Sequence, residues 1–307
     1  LFIAVNIFCA MFSEYYNLSS LLRQMPVYLA EVFMMLPMAY ILVLGEIDIS
    51  VGAIVCLSAT MSCIVCNTNA PFIVVVITAL GVGTICGAVN GFILTKFQEL
   101  PPMIVTLATQ LIVYGILLMY IMLNGNNGQP LSGLDKSFKN FVTGSFLKIR
   151  GVPIPNYVWY ACVVVVFMWF MWNKTTFGKN MFAVGSNPEA ANVSGVNVMR
   201  TTILVHTLAG CMYGITGFIE SARIGSNQAN TGLNYECDAI AACVIGGVSF
   251  VGGTGKISGV VLGVFILRII FVALQFLAVS QNMQYVIKGL IILIACAIDM
   301  RKYLVRK

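Results

Sequence analysis

Long apolar stretches separated by short polar breaks dominate the chain. The runs 27–44, 72–94, 103–123 and 157–172 carry at most one charge each. As helices they are long enough to cross about 30 Å of hydrocarbon. They do not alternate polar and apolar residues, which excludes a transmembrane β-barrel. The pattern predicts about ten helices, over 1–13, 27–44, 51–67, 72–94, 103–123, 157–173, 201–219, 238–252, 257–279 and 284–299. The expected fold class is all-α: a polytopic membrane protein in which 1–307 form one transmembrane domain.

Composition agrees. Hydrophobic residues make up 59% of the chain and charged residues 9%, with mean hydropathy +0.93. A soluble domain carries about a quarter charged residues. The net charge of +6 points to no nucleic-acid partner. The basic tail from Arg301 to Lys307 follows an apolar run, as expected of a cytoplasmic anchor. An even number of crossings then puts both termini inside. The loops 95–102, 174–200 and 252–256, with Lys96, Lys174, Lys179, Arg200 and Lys256, share that side. The stretch 124–156 falls outside yet carries Lys136, Lys139, Lys148 and Arg150, against the usual trend. The chain opens at Leu1 rather than Met, so a trimmed N-terminus is expected. Of the ten cysteines, Cys9, Cys56, Cys63, Cys86, Cys162, Cys211, Cys243 and Cys296 fall inside apolar runs. No paired CxxC motifs occur, so they read as small apolar side chains rather than metal ligands.

A nine-residue pattern recurs. GTICGAVNG at 83–91 and GKISGVVLG at 255–263 share Gly, Ile, Gly, Val and Gly at the same offsets. Glycines at every fourth position (Gly83, Gly87, Gly91 and Gly255, Gly259, Gly263) give a smooth stripe for close helix packing. The copies lie in the fourth and ninth runs, an odd number apart, and so run in opposite directions. That predicts a 5+5 inverted repeat with broken helices, as in many transporters.

Polar groups interrupt the apolar runs at two places. GEIDISVG at 45–52 brings Glu46, Asp48 and Ser50 between two spans, and NYECDAIAA at 234–242 brings Glu236 and Asp238. Carboxylates near the bilayer centre cost about 2.5 kcal/mol or more unless they face a partner or a cavity. Ser50 is expected to cap the helix after it, and Asp238 to cap a short one. Both turns also read as ends of broken helices lining a pathway. Asn90, Thr106, Thr109 and Gln110 are further polar groups in apolar runs. Glu220 and Arg223 are spaced to pair, and Arg268 must face a partner, a cavity or an interface. His206 is the single histidine and reads as a satisfied interior residue. No nucleophile–base constellation is visible, which argues against an enzyme. GGTGK at 252–256 has Phe250 and Ile257 where a phosphate loop needs Gly and Ser or Thr.

The segment GKNMFAVGSNPEAANVSGVNV at 178–198 is a polar, glycine-punctuated island in membrane-grade sequence, best read as a docking surface. Asn187 caps a short helix there, Pro188 suits its first turn, and Gly195 permits the turn out. Glu189 offers one directional charge, and small Ala190 and Ala191 permit close approach.

Four segments together resemble the permease subunits of ribose/galactose-type ABC sugar importers. They are 45–52, AVNGFILTKFQELPPMIVTLAT at 88–109, 178–198, and ECDAIAACVIGGVSFVGGTGKISGVVLG at 236–263. Glu46 and Ile49 depart from the Gly and Leu more usual in that family. The resemblance implies a permease of the bacterial cytoplasmic (inner) membrane that pairs with a second copy or a paralogue. A cytoplasmic ATPase subunit would bind the ATP and Mg, with no cofactor in this chain. A periplasmic or surface-anchored binding protein would deliver the sugar. The resemblance also implies that 174–200 is the ATPase-coupling loop, with Asn187, Pro188, Glu189, Ala190, Ala191 and Gly195 at its centre. Asp48, Ser50, Asn90, Thr106 and Asp238 are the expected edge of a weak pathway at the interface between permeases. A secondary transporter would share the repeat and broken helices without needing the docking loop. A structural or signalling membrane protein would lack the pathway polarity.

Overall fold

The computed structural model describes residues 18–123, 131–132, 135–149 and 152–305. Twelve helices follow one another among them: α1 (Leu18–Val43), α2 (Val51–Asn67), α3 (Phe72–Lys96), α4 (Pro102–Leu123), α5 (Lys136–Thr143), α6 (Asn156–Lys174), α7 (Thr176–Ser186), α8 (Pro188–Val193), α9 (Val198–Ile224), α10 (Tyr235–Ile245), α11 (Ile257–Phe276) and α12 (Gln281–Val305). Short strands add two antiparallel pairs. β1 (Leu131–Ser132) pairs with β4 (Ser226–Asn227), and β2 (Leu147–Ile149) pairs with β3 (Val152–Ile154).

Among the described residues six helices (α3, α4, α6, α9, α11 and α12) are long and apolar enough to cross a membrane. Several expected boundaries change. The expected span 1–13 lies outside the described residues, as do Arg306 and Lys307. The expected span 238–252 is not one: α10 stops at Ile245 after 11 residues. Gly247, Gly252 and Gly253 then take φ of +84°, +95° and +70°. A right-handed helix does not continue through such residues. The 174–200 stretch is mostly helical, as α7 and α8. Thr175 caps α7 by accepting from the Gly178 N–H at 3.2 Å.

α1 and α9 form the centre, and both are largely buried where their side chains are described. α9 covers α2 and α3, while α1 covers α10 and α11. α2 also packs on α3 and α4, and α10 packs on α11 and α12. The directions correspond. α3 is antiparallel to α9, because Gly83 faces Gly210 and Gly214 while Gly91 faces Ile203. α11 is antiparallel to α1: Gly255, just before it, meets Val43, and Arg268 meets Glu31. Between lipid-embedded helices, close backbone approach and polar contacts drive association, not exclusion of water. α6 joins through Tyr40, whose hydroxyl donates to the Met168 carbonyl and whose ring lies 4.7 Å from Trp172, edge to face.

One end of the molecule gathers the 94–102 turn, α7, α8 and the 249–255 loop. There Gly253 N–H donates to the Val43 carbonyl at 2.8 Å. The opposite end carries α5 and the β2–β3 hairpin. Phe138 of α5 meets Phe218 of α9 edge to face at 4.7 Å.

Candidate functional site

α8 is the most exposed ordered element at its end of the molecule. Asn187 starts it: the side-chain oxygen accepts from the Ala190 N–H at 2.9 Å, and Pro188 fills the first helical position. Gly195, with φ +85°, turns the chain out into open space. Pro188, Glu189 and Ala190 face outward. Ala191 does not, contrary to expectation: it is buried in the central core and anchors the helix to the rest of the chain. The outward face includes Val193 instead, 89% exposed. Sequence reading missed it because a six-residue helix has no periodicity from which to fix its orientation. A cavity of about 680 Å³ opens between α8 and the 94–102 turn, with Glu46, Glu189, Asn192 and Asn197 in its wall.

The 45–50 turn builds a buried polar network. Asp48 accepts from the Ser50 backbone N–H at 2.8 Å and from the Ser50 hydroxyl at 2.6 Å. Asn90 Nδ2 donates to Ser50 Oγ at 3.0 Å, and Thr109 donates to Asn90 Oδ1 at 2.6 Å. Thr106 Oγ1 accepts from Ile49 N–H at 3.1 Å and lies 3.2 Å from the Ile47 carbonyl. Contrary to expectation, Ser50 does not cap α2 with its side chain, which is committed to Asp48 and Asn90. Glu46 turns the other way, towards His206 Nε2 at 2.6 Å.

A second cluster holds Asp238, and it too corrects an expectation. Asp238 lies inside the first turn of α10 and makes no cap. Its carboxylate pairs with Lys288 of α12 at 2.6 Å and with Arg268 of α11 at 3.4 Å. Arg268 also pairs with Glu31 of α1. Four helices meet at these four charges. Asp48, Ser50, Asn90 and Thr106 thus share one cluster, and Asp238 belongs to another. Glu220 and Arg223 pair at 2.6 Å.

The glycine stripes meet different neighbours. A Cβ on Gly83, Gly87 or Gly91 would run into the α9 backbone, at Gly210, at the His206 carbonyl and at Ile203 respectively. A Cβ on Gly259 would run into the carbonyl of Gly246, just past α10, and one on Gly263 into the carbonyl of Ala242 within it. Gly255 precedes α11 rather than lying on it, and faces Val43, Val248 and Trp172. Among the described residues no group of three His, Cys, Asp or Glu side chains could hold a metal ion.

Residues 17–296 match the family model described as branched-chain amino acid transport system / permease component. The chain belongs to that permease family. It is therefore a transport component rather than an enzyme. It is similar to the galactose/methyl galactoside import permease protein MglC of Escherichia coli (strain K12), 40% identical over 95% of this chain and 88% of the relative. The ribose import permease protein RbsC of Bacillus subtilis (strain 168) is 35% identical over 98% of this chain and 90% of the relative. No solved structure matches at a significant level. In this permease the partners that sequence reading did not single out are Glu31 and Lys288; His206, read as a satisfied interior residue, is buried and pairs with Glu46. Glu31 and Arg268 did carry a usable signal: each is a lone charge in an apolar run, and such charges find one another.

Proposed function

We propose that this chain is the membrane permease of an ABC importer for a neutral sugar of the galactose or ribose class. The observation that carries the reading is similarity along nearly the whole chain to permeases named for galactosides and for ribose. The coupling role falls to 174–200. A separate cytoplasmic ATPase, holding ATP and Mg, docks on Asn187, Pro188, Glu189, Ala190 and Val193, while Ala191 and Gly195 set the shape of that surface. A binding protein delivers sugar at the opposite end. A second permease, copy or paralogue, completes the pathway, and 1–307 act as one transmembrane domain in the bacterial inner membrane, both termini cytoplasmic.

The 5+5 inverted repeat is part of this reading. It pairs α1 with α9, α2 with α10, α3 with α11 and α4 with α12. Its support is the matched set of neighbours: α9 on α2 and α3 corresponds to α1 on α10 and α11. In a repeat of this kind the broken ends lie near the midplane. The network of Asp48, Ser50, Asn90 and Thr106 and the cluster at Asp238 are then equivalent structural edges of the two halves. The experiment is uptake of radiolabelled galactose and ribose into vesicles holding the permease with its ATPase and binding protein. ATP-dependent uptake of either sugar is the expected result. Uptake without the ATPase would instead mark a secondary transporter.

A further inference from the structure

A second cavity, about 370 Å³, lies at the end of the molecule opposite α8. Its floor is the irregular segment between β4 and α10, and its wall is the start of α12. The side chains that give it chemistry include Gln228, Asn230, Thr231, Tyr235, Gln281 and Tyr285. Among the described residues in the lining none is charged. Three amides, the hydroxyls of Thr231 and Ser226, and two phenol rings can both donate and accept hydrogen bonds, and the rings can cover an apolar ring face. The volume falls in the range of small-molecule sites, about 300–1,000 Å³.

This lining discriminates between ligand classes. An amino acid carries a carboxylate and an ammonium, and burying either without a partner is costly. A phosphorylated sugar needs cations. A neutral polyol needs neither: its hydroxyls match the amides, and its C–H face matches a tyrosine ring. The floor is also built for close approach. Gly232, with φ +83°, packs against the backbone of Gly52, where a Cβ would not fit. Behind that contact lies Glu236, buried, with Oε2 unpaired among the described residues. That unpaired acceptor lies next to the Gly52–Gly232 contact, so a polar group without a partner sits close beneath the pocket floor.

We infer that this pocket receives the neutral sugar between its release from the binding protein and its passage across the membrane. The inference rests on the sugar-import reading above. Tyr285 and Gln281 supply the ring face and the amide from α12. Gln228, Asn230 and Thr231 supply the facing hydrogen bonds from the floor.

The test is the amount of sugar delivered per ATP hydrolysed by the complete importer in vesicles, with galactose and ribose as probes. Tyr285→Ala removes the ring face. Gln281→Leu removes the amide at similar volume. Each is expected to lower the ratio about fivefold, and Tyr285→Phe, which keeps the ring, less than about twofold. Both side chains are exposed, so neither change threatens the core. Unchanged ratios in Tyr285→Ala and Gln281→Leu would overturn the pocket. A wild-type complex that hydrolyses ATP when its binding protein docks, yet imports neither sugar, would instead overturn the sugar-import reading and the pocket with it.

Discussion

The Nε2 atom of His206 lies 2.6 Å from a carboxylate oxygen of Glu46. The histidine side chain is fully buried on α9, while the glutamate reaches the large cavity behind α8. The contact therefore ties the central helix to the turn between α1 and α2.

Removing that carboxylate leaves a buried ring with both nitrogens unpaired, since Nδ1 has no partner among the described residues. Glu46→Ala is expected to cost about 1–3 kcal/mol, and Glu46→Gln, which keeps an acceptor, less. Thermal unfolding of the purified protein in detergent measures both. Equal melting temperatures for the wild type and Glu46→Ala would show that the contact contributes nothing.

Glycine substitutions should separate packing from helix propensity. In an open helical position Gly→Ala stabilises by roughly 0.8–1 kcal/mol. A methyl group added at Gly81 or Gly115 would meet nothing within 4 Å, so both should follow that rule. At Gly87 the new methyl would strike the His206 carbonyl and sit 2.9 Å from Gly210 Cα. Gly87→Ala should therefore lower the unfolding temperature while Gly115→Ala does not. The same sign at both positions would argue against tight contact between α3 and α9.

The four-charge cluster predicts strong coupling. Arg268→Met leaves Glu31 and Asp238 without their shared cation and should cost about 3–5 kcal/mol. Combining it with Glu31→Gln should recover part of that loss. A double-mutant cycle on unfolding free energies reads the interaction directly, and strict additivity would contradict the pairing.

Glu189→Lys and Val193→Asp alter the outer face of α8 without touching buried Ala191. Each should leave the permease in the membrane and abolish sugar-stimulated ATP hydrolysis by the assembled complex. Normal stimulation in both variants would place the ATPase contact elsewhere.

What could be read from the chain follows from how local each determinant is. Apolar runs specify crossing helices because length and hydropathy are properties of one segment. The cap of α8 was legible for the same reason: Asn187, Pro188 and Ala190 lie within four positions of one another. The end of α10 was less so, because Gly246 and Gly247 sit in a run that still reads as apolar. The partners of Asp238 were not legible. Arg268 and Lys288 lie on two other helices, and only tertiary packing brings them together. His206 gave no signal beyond being single, since its partner is 160 positions away.

The fastening of α12 has a mechanical consequence. Its outer face, including Leu290, Leu293 and Ile294, is exposed. It is pinned at two polar points, Lys288 to Asp238 and Asp299 to the Ser249 hydroxyl and Phe250 N–H, at 2.6, 3.2 and 2.9 Å. The pins lie about 16 Å apart along the helix, at 1.5 Å per residue. A rod held at one point can swivel; held at two, it keeps its tilt. Both anchors belong to α10 and the loop that follows it, so α12 works as a lever arm of that unit. A rotation of α10 would therefore carry the outer flank of α12 with it.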